Sequence, residues 1–230
     1  MGSVSLVVLR VYIFMVICLL FSPKSIAQQI ITIVVNPIPN LLNNDSQQLA
    51  PYNRFLNRFS NIEIVFVPAT RMLGQFFQSD VSCLFPGSKN TMPGKETLIQ
   101  SKPLKIAKAY LFTAKSNSLE QSPKALIALR RGYIYGGVRQ KVNADFVELS
   151  TAKETLKSLT LSRVDAVIGY LPEIRAAAIE EKIDMPFYDE SDPIYESSHR
   201  FVCHDTAENR QFILKANKQI SAFLLQTDLP

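Results

Sequence analysis

Between Thr151 and Glu181 the chain reads TAKETLKSLTLSRVDAVIGYLPEIRAAAIEE, a run that few folds accommodate. Thr151 and Glu154 have the S/T-x-x-E spacing of a capping box, in which each side chain satisfies an orphan N–H of the other residue. Ala152, Leu156 and Leu159 follow at i, i+4 and i+7, one face of a helix. Ser162-Arg163 makes a turn. Asp165-Ala-Val-Ile-Gly169 has the length and composition of a strand buried on both faces. Tyr170-Leu171 ends that strand, and Pro172 stands where proline favours a helix start. The unit is helix, buried strand, helix. In open α/β sheets ligands sit beyond the carboxyl ends of the strands, so Tyr170 is expected at a pocket.

Upstream the same alternation repeats. Ile30 to Val35 (IITIVV) is a buried strand, followed by a polar loop from Ile38 to Ala50. Tyr52, Phe55, Leu56 and Phe59 have helical spacing behind Pro51, and Ile62 to Val67 (IEIVFV) is the next strand. Met72, Leu73, Phe76 and Phe77 make a second apolar helix face, with Thr70 as its expected N-cap. Val81 to Phe85 is a third strand, closed by Pro86-Gly87-Ser88. This βαβαβ order implies a parallel sheet with right-handed crossovers. Beyond the polar loop of Ser88 to Pro103, a strand is expected over Ile106 to Ala114, a linker over Lys115 to Ser122, and a helix around Lys124 to Arg130. Strands are expected at Tyr133 to Val138 and Asp145 to Leu149. After the polar stretch Asp189 to Ser198, His199 to His204 reads as a strand. Thr206 then caps a last helix with a stripe of Phe212, Ile213, Ala216, Ile220, Phe223 and Leu224.

The first 27 residues read as a leader. Arg10 is the only charge before the apolar run Val11 to Phe21, and Ser25-Ile26-Ala27 has the small-x-small form of a signal-peptidase site. The run is short of the ~20 residues that span a bilayer. An uncleaved anchor over Val4 to Phe21 is the alternative; Cys18 lacks a lipobox-like context. Removing the leader removes Arg10 and Lys24 and no acids, leaving 23 basic and 20 acidic residues. That balance, mildly basic and without any basic block, argues neither for nucleic acid nor for an anionic membrane as partner; no nucleic-acid partner is expected. The remaining chain, about 200 residues, suffices for one large domain or two small lobes.

The stretch Leu156-Lys-Ser-Leu159, Ser162-Arg-Val-Asp-Ala-Val-Ile-Gly169 and Leu171-Pro172 resembles the second lobe of the type II periplasmic solute-binding proteins, in particular bacterial extracellular solute-binding protein family three. The likeness in pattern and order extends over nearly all of the chain after residue 27. It implies a two-lobed α/β fold, each lobe a mostly parallel sheet flanked by helices, with two hinge crossings. Lobe one would take residues 28–114 and 197–230, and lobe two residues 115–196. In such relatives the returning strand enters the lobe-one sheet antiparallel beside the third strand. That brings Cys83 and Cys203 onto neighbouring strands. They form a disulfide if register and side-chain direction agree; otherwise they are two buried thiols.

On this fold the ligand cleft is lined by Asn36, Thr70, Arg71, Phe85, Gly87 and Ser88 of lobe one and Tyr110 of the crossing strand. Lobe two contributes Arg139, Gln140, Ser150, Thr151 and Tyr170. Arg71, Phe85, Ser88, Tyr110, Arg139 and Tyr170 are the expected ligand contacts. A guanidinium grips a carboxylate through two parallel hydrogen bonds, and the aromatic residues can sandwich a ring or an apolar side chain. The chain departs from the amino-acid binders of the family in two places. Tyr170 stands where they carry an Asp for the ligand's ammonium, and Thr91 to Glu96 offers Lys95 where they carry an Arg. A standard α-amino acid is therefore a poor candidate.

Cys203-His204-Asp205 invites a nucleophile or metal reading, but adjacent strand residues point to opposite faces. The resemblance implies a secreted, periplasmic, monomeric binding protein that closes on a small polar or anionic ligand, without cofactor, metal or catalytic residue. A membrane permease of the ABC type or a sensor would be its partner. The rivals are an enzyme on the same fold, dehydratase-like or peptidoglycan-cleaving, and an interaction domain without a ligand.

Overall fold

A computed structural model describes residues 30–44, 50–80, 82–115 and 124–225. The leader with Cys18, and most of the linker over Lys115 to Ser122, lie outside the described residues. Three apolar runs form β1 (Ile31–Val35), β2 (Ile62–Phe66) and β3 (Ser82–Gly87). They are parallel, with β1 in the middle. Their crossovers are α1 (Pro51–Leu56), which has proline in its first turn, and α2 (Ala69–Phe76). A short β4 (Leu98–Gln100) follows. Then β5 (Lys105–Thr113) leaves this half of the molecule.

The second half repeats the plan. β6 (Leu126–Arg130), β7 (Asp145–Leu149) and β8 (Ala166–Tyr170) are parallel, with β6 in the middle. They are joined through α3 (Val138–Lys141) and α4 (Ala152–Thr160). Thr151 caps α4 in a full capping box with Glu154. α5 (Leu171–Glu181) follows β8 directly. The chain returns along β9 (Tyr195–His204) and ends in α6 (Ala207–Leu224), capped by the Thr206 hydroxyl.

Two antiparallel strands tie the halves together. The sheet order is β2-β1-β3-β9-β5-β8-β6-β7. The first part of β9 pairs with β5 and its last part with β3; β5 in turn pairs with β8. In the β3–β9 register Cys83 lies opposite Cys203, and the two are joined by a disulfide. Each half has its own apolar core. In the first, Phe55, Phe85 and Phe201 pack between α1 and α6, with Phe85 and Phe201 ring centroids 4.6 Å apart. Removing one such ring costs about 3–5 kcal/mol. In the second, Phe112, Leu156, Leu159, Val167 and Ile174 pack α4 and α5 onto the sheet.

Three local expectations are corrected. Lys124 to Arg130 is not helical: Leu126–Arg130 is the central strand of its half, since a short apolar run suits a buried strand as well as a helix. Tyr133 to Val138 is not a strand but a turn through Gly136 and Gly137, both at positive φ, leading into α3. Thr70 lies inside α2, whose N-cap is Pro68. The polar stretches also conceal β4 and the first residues of β9.

Candidate functional site

The carboxyl ends of β1, β3, β6 and β8 face one another across a cavity of about 560 Å³. Its wall from the first half is mostly apolar: Leu41, Met72, Leu73, Leu84 and Met92, with Asn36 after β1 and Ser88 after β3. The opposite wall is Tyr133 and Ile134 beyond β6, and Tyr170 to Glu173 at the β8–α5 junction. The crossing strands contribute Lys105, Tyr110, Ser197 and His199. Strand ends are the natural place for such a hollow, because each chain there turns away into a helix or loop.

A buried polar cluster stands at the centre of the second wall. Arg130 ends β6 and Glu173 lies in the first turn of α5; their strands are parallel neighbours, so the two side chains meet. Arg130 Nη1 donates to Glu173 Oε1 at 2.8 Å, and the Tyr133 hydroxyl donates to the same oxygen at 2.6 Å. The guanidinium also lies 4.5 Å from the Tyr133 ring centroid. Burial opposes the charge on Arg130, but Glu173 and the neighbouring tyrosines outweigh it and raise its pKa. Glu173 is only 3% exposed. Removing one partner of such a pair costs about 3–5 kcal/mol, because the other charge is left buried. Asn36 extends the cluster across the cavity, its Nδ2 donating to the Tyr133 hydroxyl at 2.9 Å. Nearby, a Cβ on Gly132 would stand 2.7 Å from the backbone nitrogen of Thr70, so only glycine admits this approach to α2.

On the crossing strands His199 lies directly opposite Lys105. Its Nδ1 is 2.6 Å from the Tyr52 hydroxyl. Burial, and then the Lys105 charge, lower the His199 pKa to about 4, so the ring is neutral at physiological pH. Burial also lowers the pKa of Lys105 and raises those of Tyr52, Tyr133 and Tyr170, keeping the phenols protonated. Tyr133, Tyr135 and Tyr170 pack together, with Tyr135 and Tyr170 stacked at 5.8 Å.

Of the residues singled out from sequence, Ser88, Tyr110 and Tyr170 line the cavity, as do Asn36 and Gly87. Phe85 is fully buried in the first core: strand residues alternate, and its neighbour Leu84 takes the cavity side. Arg71 is exposed and off the lining, one position before Met72 on α2 and so turned about 100° around the helix. Arg139 is also off the lining: it donates to Glu148 at 2.6 Å and lies over the Phe146 ring at 5.2 Å. Thr70, Gln140, Ser150 and Thr151 do not line it either, and Glu154 accepts from the Ser150 N–H. His204 stacks on Phe76 at 4.3 Å and Asp205 pairs with Arg210, so neither joins Cys203 in a site. Among the described residues no group of three metal-capable side chains occurs. Sequence reasoning missed Tyr133, Glu173, Lys105 and His199. Glu173 alone carried a signal, an acid in the first turn behind Pro172.

Two α/β lobes, each with a parallel sheet edged by an antiparallel crossing strand, and a cavity between the strand ends: this is the type II periplasmic-binding-protein fold. Solved structures share it across nearly their whole length. The GluR0 ligand-binding core in complex with L-glutamate is 14% identical and superposes with a TM-score of 0.66 over 87% of this chain and 94% of its own. The amino acid ABC transporter substrate-binding protein AbpA from Streptococcus pneumoniae, bound to L-arginine, is 13% identical. It covers 85% of this chain and 89% of its own with a TM-score of 0.62. The periplasmic sensor of the Borrelia burgdorferi hybrid histidine kinase Hk1 is 13% identical, covering 89% of this chain and 100% of its own with a TM-score of 0.60. At such identities the likeness carries the fold and nothing finer. No family model matches the sequence, and no curated protein matches it significantly.

Proposed function

We propose that the protein is an exported solute-binding protein that captures a small molecule between its two lobes. The observation that carries this reading is the cavity of about 560 Å³, built from both halves at the strand ends. Ser88, Tyr110 and Tyr170 are its proposed ligand contacts, joined by Asn36 and Tyr133. The lobes are residues 28–114 with 197–230, and residues 115–196, hinged on β5 and β9. Ligand that touches both lobes favours the closed arrangement by its differential affinity for it. The proposed setting is the periplasm after cleavage behind Ala27. The protein acts as a monomer without cofactor and delivers to an ABC-type permease or a sensor. The neighbours with solved structures include both a transporter-associated protein and a sensor. A binding protein fits the site better than an enzyme, since the acid on the lining, Glu173, is held by Arg130 and Tyr133 rather than poised for proton transfer.

Thermal unfolding of residues 28–230 with pooled metabolites tests the reading. A ligand at a hundred times its Kd adds ~2.7 kcal/mol of stability. At least one pool is expected to raise Tm, and Ser88→Trp, which projects a bulky ring into the cavity, is expected to abolish that shift. The reading fails if no pool shifts Tm, or if the shift survives in the obstructed variant.

A further inference from the structure

We infer that the cavity's occupant is a small organic monoanion with a flat apolar body and no ammonium group, its negative end held by Lys105. This rests on the solute-binding reading above and names the ligand class of that site.

The charges around the cavity carry the argument. Glu173 is the one acid among the described lining residues, and its charge is matched by Arg130. Lys105, Lys108 and Arg175 also line the cavity. Lys108 pairs with Glu196 at 3.6 Å, whereas Lys105 and Arg175 have no ion-pair partner among the described residues. Arg175 is exposed, so water solvates it; Lys105 is only partly exposed. Lys105 sits opposite His199, whose neutral ring supplies no counter-charge. The unmatched charge nearest the interior is thus positive.

An entering ammonium would lose water, meet no free carboxylate and approach Lys105 as a like charge; burial without compensation costs several kcal/mol. A zwitterion meets the same penalty at its positive end. A multiply charged anion needs several convergent donors, yet the walls are largely apolar. A single carboxylate satisfies Lys105 with one charge-assisted hydrogen bond. The rest of the ligand then lies between Met72, Leu73 and Met92 on one side and Tyr133 and Tyr170 on the other. Adaptable thioethers on one wall and aromatic side chains on the other suit a flat body. The neighbours crystallised with L-glutamate and L-arginine hold molecules that carry an ammonium group, so the inference separates this chain from them.

Three probes with one phenyl ring and the same two-carbon chain test it: 3-phenylpropanoate, L-phenylalanine and 2-phenylethylamine, titrated calorimetrically into residues 28–230. The expected order is 3-phenylpropanoate tightest, L-phenylalanine weaker by at least about tenfold, and no detectable heat from the amine. Lys105→Met is expected to weaken 3-phenylpropanoate by about tenfold or more, the worth of one charge-assisted bond, and Lys105→Arg to retain most of its affinity. The inference is overturned if L-phenylalanine or the amine binds as tightly as the acid, if Lys105→Met leaves the acid unaffected, or if none of the three binds. Cationic or zwitterionic hits from the metabolite pools would overturn it while leaving the solute-binding reading intact.

Discussion

His199 shows how one side chain links the cavity to stability. Its imidazole touches the Tyr52 hydroxyl and lies beside Lys105, and its pKa falls from an ordinary 6.5 to about 4. A group whose folded pKa is depressed stays neutral in the fold while the unfolded chain takes up the proton. The stability it contributes is therefore complete above pH 6.5 and is lost as pH falls towards 4. The shift corresponds to a loss of up to roughly 3 kcal/mol. Urea unfolding midpoints measured from pH 8 down to pH 4.5 are expected to fall more steeply for the native protein than for His199→Gln. Parallel profiles for the two proteins would mean that the ring titrates normally in the fold.

At the scale of elements, the return of β9 beside β3 closes the first lobe, and the disulfide fastens it. Cys83 and Cys203 are 120 residues apart, so the bridge encloses the whole second lobe within its loop. It lies on the far part of β9, away from the segment paired with β5, and leaves the crossing region unlinked. Closing a loop of about a hundred residues is worth up to ~4.7 kcal/mol in the chain-entropy model. Cys83→Ala/Cys203→Ala is expected to lose about 2–5 kcal/mol in chemical denaturation. Thiol counting on the denatured, unreduced residues 28–230 is expected to find no free cysteine. Two free thiols, or a double variant as stable as the native protein, would contradict the bridge.

At the scale of the whole molecule, contacts that span the cleft among the described residues include the Asn36–Tyr133 hydrogen bond and the approach of Gly132 to Ala69 and Thr70. Both join residues of opposite lobes, and Asn36, Ala69, Gly132 and Tyr133 all line the cavity. Gly132 has φ +80°, and any Cβ there would strike the backbone of α2. Gly132→Val is therefore expected to hold the lobes apart. The left-handed backbone at this position costs a side chain about 1–2 kcal/mol within lobe two, less than the roughly 5–15 kcal/mol by which a typical domain is stable. Small-angle scattering is expected to show a larger radius of gyration than the native protein, one that does not shrink when ligand is added. Ligand affinity is expected to fall by tenfold or more, about 1.4 kcal/mol. A radius and affinity equal to the native values would show that this contact plays no part in closure.

Much of the architecture was legible in the chain because it depends on local pattern. The capping box at Thr151, the apolar strand ending at Tyr170 and the proline behind it each act within a few residues, and all appear where expected. The βαβαβ alternation of the first half is equally local. The run ALIALR was not legible, because a short apolar segment becomes strand or helix according to what covers it; here β7 and β8 flank it on both sides. The cavity's chemistry depends on distance in space. Arg130 and Glu173 are 43 residues apart and meet only because β6 and β8 are parallel neighbours. Lys105 and His199 meet only through the antiparallel register of the crossing strands. The arginines that stood out in the sequence, Arg71 and Arg139, were turned elsewhere by helix phase and by Glu148. Side-chain type and spacing settle what a short segment can become. Which charges face one another across a cleft follows from strand order and register, and those come from packing the whole chain.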